Sequence, residues 1–258
     1  MKIIRDIDLK NKKVLVRADF NVPLDAGLDI TDDNRIRAVL PTMTHVLDQG
    51  AALILCSHLG RPKGVDKTKS LAPVAKRLGE LLGRAVSLAP DCLGPEVERM
   101  AAALAPGQVL LLENLRFQPG ESKNDEAMGR ELAGLADVYV NDAFATAHRA
   151  HASNVAVARF ARVKAAGFLL ENEIAYFHRA LVNPARPVAA IVGGAKIDTK
   201  IGALENLIKS VDKLLIGGAM ANTFLKSQGY EVGASLCQPE LAPIAACILK
   251  LAAEHGVK

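Results

Sequence analysis

Short apolar runs in this chain are each followed by side chains suited to holding an anion. Val14-Leu15-Val16 leads into Arg17-Ala18-Asp19-Phe20-Asn21-Val22-Pro23. Ala52-Leu53-Ile54-Leu55 leads into Ser57-His58-Leu59-Gly60-Arg61-Pro62. Val109-Leu110-Leu111-Leu112 is followed by Glu113-Asn114-Leu115-Arg116-Phe117, and Val138-Tyr139-Val140 by Asn141-Asp142-Ala143-Phe144, then Ala147-His148-Arg149-Ala150-His151. In an open α/β sheet, ligands bind outside the carboxyl ends of the strands. If these runs are parallel strands, one edge collects His58, Arg61, Arg116, His148 and Arg149, and Arg35 joins them from the first turn of the next helix. A guanidinium grips carboxylate or phosphate through two parallel donors and never loses its charge. Each hydrogen bond to a charged group contributes roughly 1.5–3 kcal/mol, so several converging arginines would hold an anion firmly. Asp19 and Asn21 are placed to orient a hydroxyl. A lone arginine in such a position is better explained by pairing with a surface carboxylate; five basic groups at one edge favour a site.

A second pattern lies further along. Val188-Ala189-Ala190-Ile191-Val192 runs into Gly193-Gly194-Ala195-Lys196 and then Ile197-Asp198-Thr199-Lys200. Leu214-Leu215-Ile216 runs into Gly217-Gly218-Ala219-Met220-Ala221-Asn222-Thr223. Glycines let backbone approach a ligand, and a helix N-terminus favours anions. Lys196 and Lys200, four apart, would share a helix face. One glycine turn alone is equally explained as a tight strand-to-helix connection; two together with two lysines suit a nucleotide. The chain has no GxGxxG, GxxxxGK[ST], GxSxG, HExxH or CxxC motif.

The elements that must position these groups read as alternating strand and helix. The strand runs are continuously apolar, as in a parallel sheet covered on both faces. Helical patterns cover Arg35 to Gln49, with Pro41 expected to kink or break it; Leu71 to Leu82, with Ser70 as N-cap and Gly83 past the end; and Glu126 to Ala136. Leu169 to Val182 reads as one amphipathic helix, broken by Asn183-Pro184-Ala185-Arg186-Pro187. Helices from about Lys200, from about Ala219 and over Pro239–Glu254 follow. The fold class is α/β, a doubly wound, Rossmann-like parallel sheet, in two domains joined by a helix: residues 1–168, a connecting helix and hinge over 169–185, and 186–258. The last part, with two clear strands, is small for a covered sheet and reads as incomplete.

Length and composition agree. At roughly 150 residues per domain, 258 residues make one large domain or two small ones. Half the residues are hydrophobic and 23% charged, which excludes a disordered or collagen-like chain. The net charge of +4 is too mild for a dedicated nucleic-acid binder, and 4% aromatics with no Trp make poor stacking platforms. The cysteines, Cys56, Cys92, Cys237 and Cys247, have no zinc-site spacing and read as reduced thiols of a cytoplasmic protein, Cys56 as a small core residue. No signal peptide and no membrane span is read. No metal ligand is assigned.

Six of these segments occur in the order and form of a known family. The chain resembles phosphoglycerate kinase, the glycolytic enzyme, through Arg17–Pro23, Ser57–Pro62, Glu113–Phe117, Ala147–Ser153, Gly193–Lys196 with Lys200, and Gly217–Phe224. The resemblance spans essentially the whole chain; Ala145, where many relatives carry glycine, is a minor departure. It implies phosphoryl transfer between ATP and 3-phosphoglycerate, giving 1,3-bisphosphoglycerate and ADP, by a monomer whose first domain binds phosphoglycerate and whose second binds Mg-ATP or Mg-ADP. Carried over by position, Asp19 and Asn21 would contact the glycerate hydroxyl region. Arg35 would hold the carboxyl group and stabilise the transferring phosphoryl. His58, Arg61, Arg116 and Arg149 would hold the 3-phosphate. Lys196 and Lys200 would contact nucleotide phosphates, Lys200 the transferring one, and Gly194, Gly217 and Gly218 would line the nucleotide. The family's second domain continues beyond the equivalent of Lys258, and the Mg²⁺ ligands are expected there. The alternative reading is a fragment that binds phosphoglycerate and transfers nothing; a purely structural protein has no support in the intact anion-binding residues.

Overall fold

A computed structural model describes residues 1–182 and 184–258. Asn183, in the segment read as breaking the connecting helix, lies outside the described residues. The chain divides into two compact units, Met1–Ile174 and Ala175–Lys258.

The first unit is built on one six-stranded sheet: β1 (Lys13–Arg17), β2 (Ala52–Cys56), β3 (Val86–Leu88), β4 (Val109–Leu111), β5 (Val138–Asn141) and β6 (Val163–Ala166). Every pairing between them is parallel, in the order β3-β4-β2-β1-β5-β6. The pleat sends alternate residues to opposite faces. Val14, Val16, Leu53, Leu55, Val109, Leu111, Val138 and Val140 enter one core, and Leu15, Ile54, Leu110 and Tyr139 the other. Helices cover both faces, so the runs are apolar throughout rather than in alternation. This is the doubly wound α/β architecture anticipated from the runs. The edge strands β3 and β6 escape that signal because they are short, half exposed and interrupted by Ser87 and Lys164.

The helices depart from expectation in instructive places. α1 (Asn34–Asp48) runs unbroken through Pro41. Pro41 sits on the exposed side, where water can satisfy the carbonyl that its missing N–H leaves free, while Ile36, Val39, Thr42, Met43, Val46 and Leu47 are buried. Their packing outweighs a proline cost of about 3 kcal/mol. α2 (Ala72–Leu82) begins one residue late, yet Ser70 Oγ still accepts from Ala72 N at 3.1 Å, and Gly83 closes it with φ +63°. α3 is Pro95–Ala103, and α4 (Glu126–Gly134) is capped by Asp125, whose carboxylate accepts from Met128 N at 2.9 Å. α5 (Phe144–Ala147) and α6 (Val157–Phe160) are single turns, and a π-helical segment, Ala152–Ala156, leads into α6. α7 (Phe168–Leu181) is the connecting helix, and the division between the units falls within it. Its first turn is tied down by Thr42 Oγ1, accepting from Phe168 N at 2.9 Å, and Asp142 Oδ1, accepting from Leu170 N at 3.0 Å.

In the second unit, β7 (Ala189–Gly193) and β8 (Lys213–Gly217) pair in parallel. α8 (Ile201–Ile208), α9 (Met220–Ser227) and α10 (Ala242–Glu254) bury one face of this pair around Ile197, Leu204, Ile208, Met220, Phe224 and Ile248. The segment read as one helix from Pro239 is a 3-10 turn, Pro239–Leu241, running into α10. On the other face Ile191 is 79% exposed and Leu215 49%, so among the described residues this sheet is covered on one side.

α4 rests directly on the backbone that precedes α6. A methyl group on Gly129 would lie 2.4 Å from Ala156 Cβ and 2.7 Å from its carbonyl carbon. Gly129→Ala should therefore lower stability by about 1–3 kcal/mol, the usual cost of overpacking, in urea denaturation. An unchanged midpoint would show that this contact yields freely.

Candidate functional site

The carboxyl ends of β1, β2 and β5, with the loop after β4, meet around one buried cation. Arg17, the last residue of β1, is 1% exposed. Its Nε donates to Ser153 Oγ at 2.9 Å, one Nη to Ala18 O, and the other to His58 Nδ1 at 3.3 Å. A guanidinium only donates, so His58 Nδ1 is an acceptor and the ring proton sits on Nε2. Burial, reinforced by Arg17, Arg116 and Arg149, depresses the His58 pKa to about 2. His58 is thus a neutral donor to any ligand, not the cation that its place among the anion-binding residues suggests. Beneath it, Glu121 is 1% exposed and accepts from Ser153 Oγ at 2.6 Å and Ser153 N at 2.9 Å, with His151 Nδ1 at 3.6 Å. Burial pushes its pKa up, but His151, Arg17 and Ser153 together more than offset this and hold it below the ordinary carboxylate range.

Above this layer, Arg61, Arg116 and Arg149 line one open cleft of about 480 Å³, together with Lys63, Lys123 and His151. Among the described residues none of the three arginines forms an ion pair. Partial burial and then repulsion from Arg149, Arg61 and Arg17 lower the pKa of Arg116. Arg116 also donates to Gly60 O, while Gly60 N donates to Asn21 Oδ1 at 2.8 Å. Asn21 therefore spends its oxygen on the loop carrying Arg61, leaving its amide nitrogen to donate outward. Asp19 pairs with Arg35 and lies 4.0 Å from His58 Nδ1. His148 is exposed and accepts from Arg149 Nε at 3.3 Å. A larger groove of about 610 Å³ runs beside the start of α1, but Asp33, Arg77 and Glu80 there neutralise one another.

In the second unit the two glycine turns touch. Gly193 and Gly217 are partners in register, and Met220 N donates to Gly194 O at 2.9 Å. Gly218 has φ +68°, and a Cβ there would lie 2.7 Å from Gly194 O, so the contact requires glycine. Lys200 Cε comes within 3.9 Å of where a Gly194 Cβ would be. Lys196 and Lys200 do not share a helix face: α8 starts at Ile201, and Lys196 stands exposed in the preceding turn. Among the described residues no group of His, Cys, Asp and Glu is placed to hold a metal ion. Cys56 and Cys92 are buried, and burial raises the Cys56 thiol to about 12. No described helix is long and apolar enough to cross a membrane.

Sequence reasoning missed Arg17, Glu121, His151 and Ser153 as parts of this site. Of these, Arg17 carries a signal in the sequence, a cation closing the apolar run Val14-Leu15-Val16.

The doubly wound fold thus carries, at its strand ends, one open cleft lined by arginine, lysine and histidine side chains. The model of the phosphoglycerate kinase family matches residues 4–258. The chain is 58% identical over 259 residues to a phosphoglycerate kinase of Desulfotalea psychrophila, covering 100% of this chain and 66% of the relative. It is 58% identical over 256 residues to one of Moorella thermoacetica, covering 99% and 65%. The structure resembles that of phosphoglycerate kinase from Coxiella burnetii with a TM-score of 0.88 at 44% identity, over 99% of this chain and 65% of that one. The chain belongs to the phosphoglycerate kinase family, and it spans about 65% of the length of the relatives it matches.

The His58 environment sets a pH dependence. Between its ordinary value of 6.5 and its folded value of about 2, the unfolded chain binds a proton at this residue and the folded chain does not. Stability must fall on acidification through this window, by about 1.4 kcal/mol per pH unit from this residue alone. Replacing His58→Asn should flatten the acid limb of denaturation by that slope; parallel limbs would show that His58 is protonated when folded.

Proposed function

We propose that the chain carries the family's reaction, reversible phosphoryl transfer between ATP and 3-phosphoglycerate, giving 1,3-bisphosphoglycerate and ADP. The observation that carries this reading is the cleft in which Arg61, Arg116 and Arg149 converge, none of them in an ion pair among the described residues, with Glu121, engaged by Ser153, the one carboxylate in its lining. Three cations held together against their repulsion make sense as a receptor for a phosphate. In this reading Arg61, Arg116 and Arg149 hold the 3-phosphate, with His58 adding its Nε2–H. Arg35, released from Asp19, takes the carboxyl group and the transferring phosphoryl, and Asp19 and Asn21 contact the glycerate hydroxyl.

The glycine turns serve the nucleotide. Gly194, Gly217 and Gly218 give its phosphates access to backbone, and Lys196 and Lys200 neutralise charge, Lys200 nearest the turn at Gly194. The acceptor is a carboxylate already ionised at neutral pH, so no protein nucleophile or general base is needed; positioning and charge neutralisation suffice. The family's magnesium neutralises nucleotide phosphate charge when bound, but no carboxylate set for it occurs among the described residues, and no step is assigned to it. The chain acts as a cytoplasmic monomer in this reading.

Calorimetric titration with 3-phosphoglycerate at low salt tests it. The chain should bind, and Arg61→Ala should weaken binding at least about tenfold, the loss of one charge-assisted contact. Equal binding by both would remove Arg61 from the site, and no binding by the folded parent would overturn the assignment of the cleft.

A further inference from the structure

The layer beneath the cleft has a direction built into its hydrogen bonds. Arg17 can only donate and ionised Glu121 can only accept. Ser153 stands between them, accepting from Arg17 Nε at 2.9 Å and donating to Glu121 Oε1 at 2.6 Å. Its backbone N–H donates to Glu121 Oε2 at 2.9 Å, so both carboxylate oxygens act on the same residue. At the other end Arg17 reaches His58 Nδ1 at 3.3 Å. Ser153, Glu121 and Arg17 are essentially inaccessible to solvent, so water cannot replace a lost partner.

We propose that Glu121 is a positioning residue of the phosphate site: its carboxylate orients Ser153, Ser153 orients Arg17, and Arg17 fixes His58 with its donor on Nε2. The proposal rests on the reading that the cleft binds 3-phosphoglycerate. It makes a prediction opposite in sign to electrostatics. Glu121 is a negative charge beside an anion site, so if it acted only through charge, its removal would strengthen binding. If it acts through Ser153, its removal weakens binding although the site becomes more positive.

Glu121→Gln separates the two. An amide offers one oxygen where the carboxylate offers two, so either the Ser153 hydroxyl or its N–H loses its acceptor in each orientation of the amide. Titration with 3-phosphoglycerate should show binding weakened about tenfold, the scale of one misplaced charge-assisted hydrogen bond. Nitrogen-15 NMR of the imidazoles should show His58 leaving the pure Nε2–H form. Ser153→Ala, which keeps the charge of Glu121, should weaken binding similarly, and the double variant should bind no worse than the weaker single one, because both act through one chain of contacts.

Unchanged or tighter binding by Glu121→Gln, with His58 still in its Nε2–H form, overturns the proposal. So do additive losses in the double variant. If Glu121→Gln does not fold, Ser153→Ala decides: parental affinity and an unaltered His58 spectrum overturn it. If the parent chain does not bind 3-phosphoglycerate at all, the functional reading fails separately, and the His58 spectra of the two variants still decide whether the relay exists.

Discussion

Parallel strands present all their carboxyl ends at one edge, and here that geometry forces positive charges together. Arg17 ends β1, and Arg61, Arg116 and Arg149 follow β2, β4 and β5. Partial burial and then repulsion among them lower the pKa of Arg116. One charge of opposite sign is buried beneath, Glu121, and the Ser153 hydroxyl links it to Arg17. The rest of the site follows from this arrangement: a neutral His58, a loop pinned at Gly60 between Asn21 and Arg116, and a rim of arginines around one cleft.

That Arg61, Arg116 and Arg149 share one edge is legible in the sequence because they lie in the connections after runs whose strand character is unambiguous, Arg149 beyond the single turn α5. Position after a strand fixes the edge, whatever the details of the turn. The supporting layer was not legible. Glu121 lies in a 3-10 turn without hydrophobic period, and Ser153 is 32 residues away; only the fold brings them within 2.6 Å. Arg17 closes a run visible in the sequence, but its burial depends on partners from the loop carrying His58 and the π-helical segment carrying Ser153. The sequence places His58 at this edge, but its neutral, donating state follows only from its buried surroundings.

Local rules failed where tertiary packing outweighed them. Pro41 is expected to kink or break α1, and six buried side chains keep the helix continuous. The edge strands β3 and β6 were invisible to a search for apolar runs because an edge strand needs few. In the second unit the glycine turns were found, but the lysines were placed on a helix that begins only after both. The close approach of Gly218 to Gly194 explains why glycine stands there: packing between turns requires it before any ligand does.

On the proposed reading, the unpaired arginines exist for an anion rather than for the fold. Urea denaturation of the parent and Arg149→Ala, each with and without 3-phosphoglycerate at constant ionic strength, tests it most directly. Without ligand the variant should be at least as stable as the parent, since a repelling charge has gone. With ligand at about 100 times its Kd the parent should gain about 2.7 kcal/mol, and the variant much less. A ligand-free variant that is markedly destabilised, or an equal gain in both proteins, would contradict the claim and make Arg149 a structural residue.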